Sequence, residues 1–138
     1  MTLPDISQWF SPDWRPHSKV RAMVTTRLGR HSPPPWHGFN LGMNCGDDVA
    51  RVEQARRHVH KMLTVDHPPA WLEQVHGDRI IRAGDADTRA DGVWTGEPGW
   101  PCVVLTADCL PVLLARTDGS AVAAVHAGWR GLHGGILG

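Results

Sequence analysis

Three short apolar runs near the end of the chain constrain its fold more than any other feature. They cover residues 103–106, 112–115 and 121–125. Runs of this length are short for helices and are typical of strands that are buried on both faces. Residues 49–63 differ, because their apolar side chains recur at helical spacing. One helix followed by several strands predicts an α+β or mixed α/β fold.

The first half of the chain predicts one helix, one loop and one strand. Asp47 or Asp48 is placed to cap a helix that runs to about Leu63. Residues 27–38 contain three consecutive prolines, which exclude a helix and predict a loop. Residues 19–26 alternate between apolar and polar side chains well enough to predict a strand.

The middle of the chain predicts a hairpin. Residues 71–76 and 79–83 have the composition of strands, and they flank Gly77 and Asp78, a pair that favours a tight turn. A polar stretch follows over residues 84–92. We therefore expect two antiparallel strands before the apolar runs begin.

Composition sets ordinary limits. A chain of 138 residues can form one domain with a small core, so we expect a single domain over residues 1–138, with an irregular lead-in at residues 1–18. Fourteen basic and fourteen acidic residues cancel, so net charge predicts no nucleic-acid partner. The sequence has neither a long apolar run nor a signal-peptide pattern at its start. We expect no membrane association and a cytoplasmic location.

Three residues stand out as metal ligands: His76, Cys109 and His126. In each case strand-forming residues lead up to the side chain, and a turn or a helix start follows soon after. Two imidazoles and one thiolate leave a fourth tetrahedral position open, which is the arrangement of catalytic zinc. The other two thiols, Cys45 and Cys102, are expected to be small buried hydrophobes, and three cysteines do not make a disulfide framework.

Residues beside these ligands have open roles. Asp108 either orients a ligand imidazole or caps its own turn. Gly128 precedes a predicted short helix whose first N–H groups favour an anion such as phosphate. Trp129 either fills the core, which is the simpler interpretation, or stacks on a base. Arg130 either pairs with phosphate or lies in solvent.

Two residues in the first half are weaker candidates for substrate binding. Arg27 follows the predicted strand and precedes a loop, where a guanidinium can face a cleft. Asn40, in the segment F-N-L-G, either binds a substrate or stabilises its own turn, and the turn is favoured.

Several segments together resemble a known family. In order they are T-T-R-L-G, F-N-L-G, G-D-D, Q-V-H-G, A-D-G-V, T-A-D-C-L-P-V-L-L and V-H-A-G-W-R-G. This series is similar to the YfiH-type laccase-domain family, also called polyphenol oxidase-like or purine nucleoside phosphorylase-like. The resemblance extends from about Val20 to Ile136. Members of that family are longer, so we expect this chain to lack a C-terminal part of the fold.

The resemblance implies an α+β fold in which mixed β-sheets pack as a sandwich with flanking helices. It also implies a zinc site of one Cys and two His, which map onto His76, Cys109 and His126. Arg27 and Asn40 correspond to segments that line the family's nucleoside pocket. The pair Gly29-Arg30 departs from the family's usual two glycines, which changes the expected geometry of that loop.

The function implied by the resemblance is a zinc-dependent enzyme that acts on purine nucleosides. It would catalyse phosphorolysis of adenosine, inosine, guanosine or methylthioadenosine, and hydrolytic deamination of adenosine. Its partners would be these nucleosides and phosphate. Because the chain is expected to lack part of the fold, we expect the 138-residue chain alone to work poorly.

Three alternatives remain at this point. The first is a copper-dependent polyphenol oxidase, which the scarcity of well-placed histidines disfavours. The second is a metal-free Cys/His amide hydrolase of the peptidoglycan-precursor editing type, with Cys109 as nucleophile and His126 or His76 as its base. The third is a protein without enzymatic activity, in which zinc is structural.

Overall fold

The computed structural model of the chain describes residues 2–138, and these form two compact units. The first unit contains the chain up to Arg15 together with Arg21–Thr64, and the second contains Pro16–Val20 together with Val65–Gly138. The elements, in chain order, are a 3-10 helix at Ile6–Gln8, α1 at Val49–Leu63, β1 at Ile80–Arg82, β2 at Gly92–Thr95, β3 at Leu110–Ala115, β4 at Val122–Ala127 and α2 at Trp129–Gly134.

Helix α1 confirms the prediction made from its apolar spacing. Its cap is Asp48, whose side chain accepts the backbone N–H of Arg51 at 2.9 Å. The helix ends at Leu63, and its C-cap Thr64 adopts the left-handed conformation with φ of 52°. The buried face consists of Val52, Ala55 and Val59.

The lead-in contributes to the core of the first unit. Met1 lies outside the described residues, and the 3-10 helix is followed by Trp9, which is buried. The Trp9 ring stacks on Phe39 with ring centroids 6.1 Å apart, and it meets His58 edge-on. Residues 2–18 thus contain little regular secondary structure, and the buried side chain of Trp9 packs this segment into the core.

The strand predicted over residues 19–26 is wrong. Within that segment only Val24 pairs with another residue, Phe10, and the pair is an isolated bridge. The segment also passes from the second unit to the first at Arg21. Alternating apolar and polar residues form a strand only where a neighbouring strand can hydrogen-bond to them. In this segment the isolated bridge to Phe10 does not extend into a ladder.

The second unit contains a mixed four-stranded sheet in the order β1-β2-β4-β3. Strands β1 and β2 are parallel, whereas β4 is antiparallel to both β2 and β3. This arrangement confirms the α+β fold class. Its main core cluster contains Leu72, Ile81, Ala83, Ala90 and Val93, against which Trp100, Cys102 and Val104 pack.

The predicted hairpin is wrong. Residues 71–76 form no strand, and β1 pairs with β2 in parallel, which a two-residue turn cannot produce. The reason is that the backbone N–H groups of residues 75–77 bind the side chain of Asp91 and are not available to a ladder.

The three apolar runs have different outcomes. Residues 112–115 and 121–125 fall in or beside β3 and β4, as expected, whereas residues 103–106 lie outside the strands. Strand β3 is not buried on both faces, since it lies at one edge of the sheet and exposes Leu110 and Leu114. Strand β2 was not predicted, because it directly follows the polar stretch.

Among residues 2–138, no helix is both long enough and apolar enough to span a membrane.

Candidate metal centre

The second unit brings His76, Cys109 and His126 together. His126 lies in β4, and the register pairs Leu110 with Ala127. Cys109 comes directly before Leu110, so it lies next to the end of β4 that holds His126. His76 reaches the same place from the loop that precedes β1.

The three ligand atoms all lie within 4.8 Å of one another. The two imidazoles stand nearly at right angles, with an interplanar angle of 81° and ring centroids 4.8 Å apart. Tetrahedral zinc with bonds of about 2.0–2.3 Å requires ligand atoms roughly 3.3–3.8 Å apart. At its widest the cluster exceeds the separation that a shared ion requires, so the ligand atoms would have to move closer together to bind one.

Burial changes steeply across the cluster. His126 is buried, Cys109 is half-buried and His76 is exposed. A site built in this way is held by the protein on one side and open to solvent on the other. That is what a catalytic site needs and a closed structural site does not.

Gly128 borders the cluster. A Cβ at this position would lie 3.4 Å from Cys109 Sγ and 3.4 Å from His76 Cδ2, which are ordinary contact distances. A side chain at residue 128 would therefore lie directly beside the ligands. The anion-binding role considered from the sequence stays a prediction.

A buried carboxylate, Asp91, joins two of the three segments. Its Oδ2 lies 2.7 Å from Nδ1 of His126 and accepts the backbone N–H of His76 at 2.9 Å. Its Oδ1 accepts the backbone N–H groups of Val75 at 3.0 Å and Gly77 at 2.9 Å. Asp91 is fully buried, so these contacts are protected from water.

The loop that carries His76 is constrained on a second side by α2. His76 itself has φ of 60°, a conformation that side-chain-bearing residues seldom adopt. A Cβ on Gly131 would lie only 2.6 Å from the carbonyl oxygen of Gly77. Helix α2 can therefore approach this loop only because residue 131 is glycine.

The charges around the cluster have two distinct effects. Burial alone would raise the pKa of Asp91, but the hydrogen bonds from His126 and from three backbone N–H groups outweigh it and lower this pKa. At Cys109, local desolvation and the neighbouring Asp108 carboxylate raise the pKa of the thiol. A raised pKa favours the neutral thiol over the thiolate when no metal is bound.

The donor set fits a zinc ion. Asp91 occupies Nδ1 of His126, which leaves Nε2 for a metal, and a carboxylate on the far nitrogen is the usual support of a metal-binding histidine. One thiolate and two imidazoles suit zinc, while a blue-copper centre adds a weak axial ligand. Across residues 2–138, this is the one group of three or more His, Cys, Asp or Glu side chains arranged to hold a metal.

Asp108, Trp129 and Arg130, which the sequence placed beside the ligands, are all exposed. Asp108 is exposed and lies beside Cys109, with Oδ1 at 3.8 Å from Sγ, while Asp91 is the residue that contacts the imidazole. Trp129 does not fill the core, because 74% of its side chain is exposed. Arg130 is also exposed, and its guanidinium lies 5.3 Å from the Trp129 ring centroid.

The two candidates in the first half lie in the first unit. Arg27 is exposed. The side chain of Asn40 bonds within its own loop: it accepts the N–H of Gly42 at 3.0 Å and donates to Asp47 at 3.1 Å. These contacts agree with the turn role that the sequence favoured. Cys45 is exposed, so the expectation that it is buried is wrong.

Sequence reasoning missed Asp91 and Gly131 as parts of this site. One signal for Asp91 was present in the sequence: the acid stands in A-D-G-V, between small residues and directly before an apolar strand. A charged residue in such a place is either exposed at a turn or buried with several partners. The sequence alone did not distinguish these two.

The fold and the site together define a mixed-sheet α+β domain with a candidate His-Cys-His metal centre. The chain belongs to the family described as multi-copper polyphenol oxidoreductase laccase, whose model matches residues 21–138.

Relatives of known name support this assignment. The chain is 44% identical over 133 residues to a Pseudomonas aeruginosa protein named purine nucleoside phosphorylase PA4543, covering 96% of this chain and 54% of the relative. It is 43% identical over 135 residues to the Escherichia coli protein named purine nucleoside phosphorylase YfiH, covering 96% of this chain and 56% of the relative. The chain thus spans about half the length of the curated relatives it matches.

Solved structures show the same fold. The Neisseria meningitidis protein NMB0706 superposes with a TM-score of 0.88 at 37% identity, over 94% of this chain and 54% of that one. YlmD from Geobacillus stearothermophilus superposes with a TM-score of 0.79 at 31% identity, over 96% of this chain and 56% of that one.

Proposed function

We propose that this chain provides the metal centre of a zinc-dependent purine nucleoside phosphorylase that also deaminates adenosine. The observation that carries the proposal is the convergence of His76, Cys109 and His126 on one solvent-accessible point. The names of the P. aeruginosa and E. coli relatives support the substrate class. The proposed substrates are adenosine, inosine, guanosine and methylthioadenosine, with phosphate as the second substrate, in the cytoplasm.

The residues of the cluster would hold the zinc through Cys109 Sγ and one nitrogen from each histidine. Bound zinc supplies a Lewis acid that lowers the pKa of water to about 7 and polarises oxygen atoms. The protein supplies the rest. The side of the cluster at His126 is closed to solvent, and the exposed side at His76 admits the substrate.

Substrate contacts are proposed for four further residues. Arg130 and Trp129 follow Gly128 directly, and both side chains are exposed. The cation can pair with phosphate, and the indole can stack on a purine. Arg27 and Asn40 keep the substrate-binding role that the family resemblance implies, although the side chain of Asn40 has partners in its own loop.

Two reactions are compatible with one such centre. In phosphorolysis the bond from C1′ to N9 breaks, a phosphate oxygen bonds to C1′, and the purine leaves with a proton. In deamination water adds at C6 of adenine and ammonia leaves. The metal-free hydrolase is less favoured, because the surroundings of Cys109 raise the pKa of its thiol and so disfavour the thiolate that a nucleophile needs.

The test is an assay of the 138-residue chain loaded with zinc, with adenosine as substrate, with and without phosphate. We expect inosine in both reactions, and free purine base only with phosphate. Because the chain spans about half of its relatives, we expect a rate at least about 100-fold below that of full-length E. coli YfiH measured in parallel, which is the loss that small misplacements cause.

The control is the Cys109→Ala variant under the same conditions. The proposal requires the wild-type chain to release more product than this variant. Equal release by the two proteins over a long incubation would refute it.

A further inference from the structure

The side chain of Asp91 contacts both His76 and His126. One carboxylate oxygen meets the ring of His126 and the backbone of His76, and the other oxygen meets the backbone on both sides of His76. These four contacts span sequence separations of 14 to 35 residues. No other described side chain links the loop of His76 to β4 in this way among the hydrogen bonds of residues 2–138.

Three of the four donors on Asp91 are backbone N–H groups, which can only donate. They stabilise the carboxylate form of Asp91, and a carboxylate can only accept. The fourth partner, Nδ1 of His126, must then carry the hydrogen. When the imidazole is neutral, its other nitrogen, Nε2, is left with the free lone pair that a metal needs.

The same carboxylate holds His76 in an unfavourable conformation. A φ of 60° is unfavourable for a residue with a side chain and persists only where the surroundings impose it. Here three successive N–H groups, from Val75 to Gly77, converge on Asp91 and impose it. The conformation of the loop sets where the imidazole of His76 is directed.

From these contacts we infer that Asp91 is the positioning residue of the metal centre: it fixes His126 as the Nδ1–H tautomer and locks the His76 loop, so that both imidazoles are ready to bind a metal before it arrives. The inference rests on the proposed metal site. It assigns to Asp91 a role that neither Asp108 nor any ligand fills.

The substitution Asp91→Asn tests the inference with little change in volume. An amide has one accepting oxygen and one donating nitrogen, whereas four donors converge on Asp91. If the amide nitrogen faces His126, then Nδ1 must accept and the hydrogen moves to Nε2, which blocks the metal. If it faces Val75 and Gly77, donors oppose donors and the loop is released.

The first measurement is zinc affinity, by competition with a chromogenic chelator. We expect Asp91→Asn to weaken binding about 10- to 100-fold, as loss of a histidine's supporting carboxylate does. The matched control is Asp47→Asn, which alters another buried carboxylate that bonds to Asn40, Asp48 and Arg51 but contacts none of the three ligands. Equal affinities in wild type and Asp91→Asn would overturn the inference.

The second measurement needs neither metal nor variant. In the metal-free wild-type chain, ¹⁵N spectra of the neutral imidazole of His126 should show its hydrogen on Nδ1. A hydrogen on Nε2 would overturn the inference even if Asp91→Asn failed to fold.

The two proposals fail separately. A wild-type chain that binds no zinc would refute the metal centre, while the tautomer of His126 would still decide the role of Asp91. If the chain binds zinc but metal-free His126 is the Nε2–H tautomer, the proposed metal centre is supported and the positioning role of Asp91 is refuted.

Discussion

Among residues 2–138, each of the two units contains one buried aspartate with several hydrogen-bond partners, and the two differ in how far along the chain those partners lie. Asp47, in the first unit, bonds to Asn40, Asp48 and Arg51, which are at most seven residues away. Asp91, in the second unit, bonds to residues 14 to 35 positions away. The first network shapes a loop and the start of α1, whereas the second assembles a site from distant segments.

The difference shows what each kind of network can do. A local network forms whenever its own segment folds, so it stabilises one turn and little else. A long-range network forms only when the tertiary structure is complete, so it can hold reactive side chains at one geometry. We therefore expect changes to the Asp91 network to affect metal binding, and changes to the Asp47 network to affect stability and not metal binding.

The largest expected effect is at Cys109. Replacing it with alanine removes one of three ligands, and we expect the zinc content of the purified protein, measured by elemental analysis, to fall to about a tenth or less of wild type. Cys45→Ala in the first unit and Cys102→Ala in the core of the second should keep their zinc. Burial raises the pKa of Cys102 to about 12, so it is poorly suited to be a ligand. Zinc loss from the Cys102 variant, with retention by the Cys109 variant, would reverse the assignment.

A smaller effect is expected at Gly131. A methyl group there would lie 2.6 Å from the carbonyl oxygen of Gly77 and would push the His76 loop away from its partners. We expect Gly131→Ala to weaken zinc binding about tenfold and to lower the free energy of unfolding by about 1–3 kcal/mol.

Gly134→Ala is the control for this change on the same helix. Its added Cβ would lie 3.4 Å from Asp78 Oδ2, a side-chain atom that can move. Chelator competition should show no more than a twofold change for this variant. Similar losses of zinc affinity in both variants would mean that any substitution in α2 weakens binding. The close approach of Gly131 to Gly77 would then not be the cause.

Asp47 should affect stability and not zinc. Burial alone would raise its pKa, but hydrogen bonds from Asn40, from the N–H of Asp48 and from Arg51 hold it below the ordinary value. A lowered carboxyl pKa contributes stability above the unfolded pKa of about 3.9, and this stability is lost as the pH falls through the folded pKa.

Urea unfolding at pH 6 and at about pH 3 measures this contribution. Asp47→Asn should be less stable than wild type by about 1–3 kcal/mol at pH 6, and the gap should narrow at low pH. A gap that does not change with pH would show that the charge of Asp47 is not what stabilises the loop.

The smallest stability effect is expected at Trp129. Because 74% of its side chain is exposed, Trp129→Ala should change the free energy of unfolding by no more than about 0.5 kcal/mol. If the indole stacks on the purine, the same variant should raise KM for adenosine. Unchanged nucleoside kinetics would remove Trp129 from the substrate contacts.

The parts of this fold that were predicted from sequence rest on local interactions. Helix α1 was predicted with its cap, because apolar spacing and the Asp48 hydrogen bond act within a few residues. Strand β4 was predicted because its run of apolar residues indicates a buried strand whichever strands lie beside it. The parts predicted wrongly, at residues 19–26 and 71–76, depended on whether a partner strand lay alongside.

The sequence also predicted His76, Cys109 and His126 as ligands, through three short segments whose composition indicates a strand end before a reactive side chain. The structure places their ligand atoms within 4.8 Å of one another. What the tertiary structure decided was which groups surround these ligands. Asp108, the neighbour in sequence, is exposed, while Asp91, 35 residues from His126, supplies the buried carboxylate. The physical reason is that a hydrogen bond across such a separation requires several strands to be in register first, and no local pattern encodes that register.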